Sequence, residues 1–108
     1  MTHQRFIIEM GMGNDLHGGD YTKAARRAVK TALHGAILAL LGNFPDLKQD
    51  LKVRATIGVQ DPSQVDADAL RALFPVGDVA IGVVHGGLNS GDAVVAQAAI
   101  EVFLPRQG

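Results

Sequence analysis

The clearest pattern in the chain is a strict alternation. Leu51, Val53, Ala55, Ile57 and Val59 take every second position, with Lys52, Arg54, Thr56, Gly58 and Gln60 between them. A two-residue period marks a strand with one face on a core. Its other face, polar and basic, is left for water, a subunit neighbour or a ligand. Arg5 to Met10 also reads as a strand, expected at the centre of the sheet. It sets Phe6, Ile8, Met10 and Met12 on one face and Ile7 and Glu9 on the other. Glu9 marks its own face as the one open to water, with a site role for the carboxylate as the alternative. Val79 to Val84 is an almost unbroken apolar run, the pattern of a strand buried on both faces.

Between the first two strands the period changes. From an N-cap at Asp20 or Thr22 to Leu41, the residues Ala25, Val29, Ala32, Leu33, Ala36, Leu40 and Leu41 form a helical apolar face. Lys23, Arg26, Arg27, Lys30 and His34 form a narrow stripe on the far side, and Gly42-Asn43 with Pro45 end the helix. Asp66 caps a second, short helix running to about Leu73, with Val65 as its staple. Ala93 to Leu104 has apolar residues at every even position, so it reads as a strand in a hairpin with the run before it. Its alanines leave a helix open as the alternative. The expected order is β-α-β-α-β-β, a single α/β (α+β) domain over residues 1–108, with a mixed sheet and helices on one face. The bare sheet face calls for a homo-oligomer.

Composition narrows the chemistry. A length of 108 residues supports one small core, built from aliphatic side chains because aromatics are only 5%. The formal net charge of -1 argues against nucleic acid or an anionic membrane as partner. No stretch is apolar enough to span a membrane, and residues 1–12, with Glu9 inside the apolar run, do not resemble a signal peptide; the expected address is the cytoplasm. The absence of cysteine excludes a thiol nucleophile and thiolate metal sites. Any metal is left to carboxylates and to His3, His17, His34 and His85.

The densest chemistry lies in Gly11-Met12-Gly13-Asn14-Asp15-Leu16-His17-Gly18-Gly19-Asp20, between a strand and a helix N-terminus, which is a ready anion site. It is neither known phosphate loop. The dinucleotide fingerprint fails because Leu16 stands at the sixth position, and the P-loop fails because Gly19-Asp20 replace Lys and Ser/Thr. Asp15-Leu16-His17 could orient a histidine as a base or hold a divalent metal, with His85 as a distant partner. The plain alternative is architecture, with Asp15 bonding backbone amides and the glycines taking positive φ. His-Gly-Gly recurs at His85-Gly86-Gly87, after another apolar run. Two adjacent strand ends would bring His17 and His85 into one cleft. The candidate site is then Asp15, His17 and His85 as catalytic groups. Gly11, Gly13, Gly18, Gly19 and Gly86 supply amides, and Arg54 or Lys52 neutralises ligand charge.

Through Gly11, Gly13, Asp15, His17 and Gly18, with the Thr22–Val29 continuation, the chain resembles the "Lin"-type conserved hypothetical proteins with a GxGxDxHG signature. The resemblance spans essentially the whole chain. It implies that Asp15 and His17 matter, and it brings no activity. The element order is also similar to the trimeric bacillus-type chorismate mutase fold, the YjgF-like deaminases and the cyclic-amide ring-opening hydrolases. That likeness implies a homotrimer with sites at clefts between subunits. No chorismate mutase site residues and no Lys-Ser pairs accompany it. Three readings remain open: an enzyme of hydrolase or deaminase type using Asp15 and His17 on a small molecule; a non-catalytic binder of a small molecule or metal; and a structural oligomer whose loop is an interface.

Overall fold

The computed structural model describes residues 3–46, 50–75 and 78–106. The elements are β1 (His3–Asp15), α1 (Tyr21–Leu33), α2 (Ala36–Asn43), β2 (Lys52–Val59), a 3₁₀ turn (Pro62–Gln64), α3 (Ala67–Arg71), β3 (Val79–His85), β4 (Leu88–Ser90) and β5 (Ala93–Pro105). The sheet is mixed and five-stranded, in the order β1-β5-β2-β3, with β4 also paired to β5. β5 runs antiparallel to both β1 and β2, and β3 runs parallel to β2. β1, β2 and β3 therefore point the same way and end at the same end of the sheet. No described helix is long and apolar enough to cross a membrane.

The alternation in β2 folds as it reads. Val53, Ala55, Ile57 and Val59 are buried against the helices, where they meet Ala96, Ala98, Ile100 and Val102 of β5. The other parity of β2 faces away. β5 is a strand, and its Ala96 and Ala98 serve the helix that lies on it. Ala24, Ala25, Ala28, Val29, Ala32 and Leu33 form the buried side of α1. Small residues on both surfaces bring helix and sheet backbones close.

The outer strands differ from expectation. β1 is an edge strand, because the hairpin partner of β5 is the three-residue β4, and the long partners of β5 are β1 and β2. β3 is the opposite edge, not a doubly buried strand; Ala80, Gly82 and Val84 are exposed. A continuous apolar run reads as central whether or not a neighbour covers its second face. The two faces of β1 are also reversed. Ile7 and Glu9 lie on the helix side, half-buried, and Ile8, Met10 and Met12 are exposed. The pairing with β5 skips a residue between Arg5 and Ile7, a bulge at Phe6, so Phe6 does not share the simple register of the three apolar residues after it.

The long helix is two helices. α1 stops at Leu33, and α2 begins after Gly35 with no side-chain cap of its own. Glu9 supplies the missing acceptor from across the fold, its Oε1 taking the Ala36 amide at 3.3 Å. The carboxylate read as a solvent marker is a long-range helix cap. The observed order, β-α-α-β-α-β-β-β after omitting the 3₁₀ turn, departs from the β-α-β-α-β-β expected of a chorismate-mutase-type chain.

Candidate functional site

The glycine-rich stretch divides into two parts with different physical work. Gly11 and Gly13 are inside β1, not in a loop. A Cβ on Gly11 would stand 2.5 Å from Ala28 O, and one on Gly13 would stand 2.5 Å from Ala24 O, both backbone atoms of α1. These glycines are where the helix rests on the strand. Only Leu16 to Asp20 forms the connection. Gly18 and Gly19 there adopt φ of +93° and +62°, conformations that other residues rarely take.

Asp15 is the last residue of β1 and is buried. Its Oδ2 accepts the Asp20 amide at 2.9 Å, and its Oδ1 lies 3.5 Å from Lys23 Nζ. The Asp20 amide first, and Lys23 with Arg27 after it, hold the Asp15 carboxyl below the usual aspartate range against the opposing effect of burial. Asp20 then caps α1, its Oδ1 accepting from Lys23 N at 3.0 Å. Arg27 closes the other side by donating to Asn14 O at 2.7 Å. The helix N-terminus thus already carries a carboxylate of the chain itself where an anionic ligand was expected. His17 is exposed on the connection and makes no hydrogen bond to Asp15 among the described residues.

His17 and His85 share an end of the sheet but not a cleft. They follow β1 and β3, the two outer strands, with β5 and β2 between them. Three strand spacings separate the two edges, about 14 Å. Among the described residues, no three His, Asp or Glu side chains gather as a metal-ligand group. Arg54 is engaged elsewhere: it donates from Nε and Nη2 to the two oxygens of Glu101, at 2.9 and 3.1 Å, and stacks 5.3 Å over the Phe103 ring. Arg5 donates to the same carboxylate at 3.1 Å. The Arg54 hydrogen bonds, with those of Arg5, hold Glu101 below the usual glutamate range.

A concavity lies on the open face, toward the end where β1, β2 and β3 finish. It has a volume of about 710 Å³. Its floor is Thr56, Gly58, Gln97 and Ala99 on the two middle strands; its walls are Met10 and Met12 on one edge, where Thr31 of α1 also contributes, and Val84 and His85 on the other. His85 is the one titratable side chain in this lining. Of the residues singled out from sequence, Gly11, His85 and Gly86 line the trough. Gly13, Asp15, His17, Gly18, Gly19 and Arg54 are not among its lining residues. The trough is braced from behind: Gly86 N donates to Val59 O at 2.9 Å, and Gln60 Nε2 donates to Gly86 O at 2.9 Å. Sequence reasoning missed Met10, Met12, Gln97 and Ala99. The signal for Thr56 and Gly58 was present in the outward parity of β2.

Residues 5–102 match the family described as conserved hypothetical protein (Lin0512_fam). The chain belongs to the Lin0512 family. No curated protein matches it. An FtsZ-like protein of unknown function from Nostoc punctiforme PCC 73102, known from a crystal structure, is 30% identical to this Lin0512 protein. It superposes with a TM-score of 0.81 over 98% of this chain and 99% of that one. The bifunctional IspDF protein of Campylobacter jejuni aligns over 92% of this chain and 43% of its own, with 9% identity and a TM-score of 0.34, too distant to carry an argument.

Proposed function

We propose that this Lin0512 protein binds a small, largely uncharged molecule in the trough on the open sheet face. The observation that carries the reading is the trough itself. Its volume of about 710 Å³ falls in the range of small-molecule sites, and its apolar walls surround a few polar groups, Thr31, Thr56, Gln97 and His85. The glycine and alanine positions of the floor leave room for a flat ligand to lie against the strands. The hydrolase or deaminase reading built on Asp15 and His17 has less support, because both Asp15 oxygens are already occupied by Asp20 N and Lys23. If the bound molecule is also a substrate, His85 is the group placed to exchange a proton with it.

Nile red, an uncharged dye whose fluorescence rises in apolar surroundings, tests the site. Binding should saturate in the wild type, and Ala99→Phe, which fills the floor from an outward position, should abolish it. Compounds from a metabolite panel that displace the dye should raise Tm in the wild type and lose affinity in Thr56→Val and Gln97→Leu. Equal dye binding by wild type and Ala99→Phe would place the apolar site elsewhere and end this reading.

A further inference from the structure

The open face is too large and too apolar to be explained by a small ligand alone. Met10 and Met12 are 71% and 60% exposed, and Ile8, Val84 and Leu88 are exposed beside them. Register puts all five on one surface: Ile8 is opposite Glu101, Met10 opposite Ala99, Met12 opposite Gln97 and Leu88 opposite Val95, while Val84 is opposite Gly58 on the β2 side. Among the described residues, the buried sides of α1 and α2 pack on the other surface. With radius of gyration 14.3 Å, the chain is more extended than the ~13 Å expected of a compact monomer of its length.

From these observations we infer that a second copy of this chain packs its open sheet face against this one about a two-fold axis. The area fits. β1 and β5 have 13 residues each, which at roughly 3.3 Å per residue is about 43 Å. At about 4.8 Å per strand, and with β2 and β3 only 8 and 7 residues long, the face measures on the order of 650 Å², close to the roughly 800 Å² that one partner contributes to a standard-size interface.

The shape is self-complementary. One rim carries two long, unbranched methionines, and the middle of the face is a trough of small residues. A two-fold axis along the strand direction sets β1 of each copy over β3 of the other. Met10 and Met12 of one copy then pack on Val84 at the rim of its partner's trough, and the reverse contact is identical. Methionine suits such a contact because it adapts its shape and is enriched in interface cores. The Arg5–Glu101–Arg54 cluster lies along the strands from this apolar region and forms the polar rim. The trough that is open in one chain becomes a cavity between two, walled partly by the second copy. The pairing rests on the face and not on the ligand, so it is tested on ligand-free protein.

Analytical ultracentrifugation at about 1–100 µM, the range in which an interface of this size is populated, reads the result directly. The wild type should sediment as a dimer. Met10→Glu/Met12→Glu, both at exposed positions, should keep its circular dichroism spectrum and raise the dimer dissociation constant at least 100-fold. Val84→Lys on the opposite rim should do the same, and it asks the question independently if the double variant fails to fold. Leu38→Glu/Phe44→Glu, which alters exposed apolar residues of α2 and its C-cap, should leave the dimer intact. A wild type that stays monomeric, a dimer indifferent to the methionine and Val84 changes, or one dissolved by the Leu38/Phe44 pair overturns the proposal. A trimer overturns the two-fold pairing even if the methionine variant dissolves it.

Discussion

Gly11→Ala is a sharp perturbation of the scaffold. The added Cβ would stand 2.5 Å from Ala28 O and from Ala32 N and 3.1 Å from Ala32 Cα, where ordinary contact begins at 3.4 Å. The shortfall is about 1 Å, and every atom involved is backbone of α1, so no side-chain rotation relieves it. The helix must lift. A gap of that size forfeits a quarter to a half of the dispersion well for the atoms it separates, and it separates the six buried residues of α1 from the sheet. Overpacking of this kind costs about 1–3 kcal/mol, and the lost contact adds to it, while the reduced freedom of the unfolded chain returns about 0.4–1 kcal/mol. A net loss of roughly 2–3 kcal/mol is expected, against a total stability of about 5–15 kcal/mol for a domain of this kind. That corresponds to a Tm lower by roughly 10–20 °C.

Urea denaturation followed by far-ultraviolet circular dichroism measures it, since the chain has no tryptophan to report by fluorescence. Gly42→Ala is the matched control. It lies in α2, where an added Cβ meets nothing within 4 Å, and should stabilise by about 0.5–1 kcal/mol. A Gly11→Ala protein within about 0.5 kcal/mol of wild type would refute the claim that helix and strand meet through this glycine.

Further outcomes follow from the same contacts. Asp15 and Glu101 both have carboxyls held below their usual range, so the stability they confer is present above the unfolded-state values near pH 4 and is lost as pH falls through the folded ones. Asp15→Asn and Glu101→Gln should each flatten the acid limb of a Tm-against-pH curve below about pH 4.5, and an unchanged limb would deny the ion pairs this role. Asp20→Ala should cost about 1 kcal/mol by uncapping α1, read as a shift in the urea midpoint at constant slope. His17→Ala, on an exposed side chain, should change stability by less than about 0.5 kcal/mol; a loss matching that of Asp15→Asn would make His17 part of the clamp.

The interior of the fold was legible because its signals are local. The period of β2, the Asp20 and Asp66 caps and the parity of β5 need only neighbouring residues, and all of them appear in the structure. The errors sit where a distant partner decides. Glu9 looks like a solvent-facing residue until Ala36 N is brought to it, and Val79 to Val84 looks central although no described strand lies beyond it. His17 and His85 share a motif, but strand order alone determines whether they meet. The candidate trough was half legible, in Thr56 and Gly58, because the outward parity of β2 was visible. Its walls were not, since Met10 and Met12 were assigned by hydrophobicity to the covered face of a strand expected at the centre of the sheet, and that strand is an edge.

The motif itself separates into architecture and remainder. Gly11 and Gly13 admit the helix backbone, Asp15 ties the strand end to the helix N-terminus, and Gly18 takes a positive φ in the connection between them. Each of these four residues has a structural reason to be glycine or aspartate that requires no ligand. His17 has none among the described residues. A chain whose helix rests on two strand glycines has its covered face fixed by backbone contact, with little tolerance for movement there. Adaptable groups are concentrated on the opposite surface instead, in methionines, a glutamine and a histidine around small residues. Rigidity on one side of the sheet and adaptability on the other suit the binding proposed for the open face.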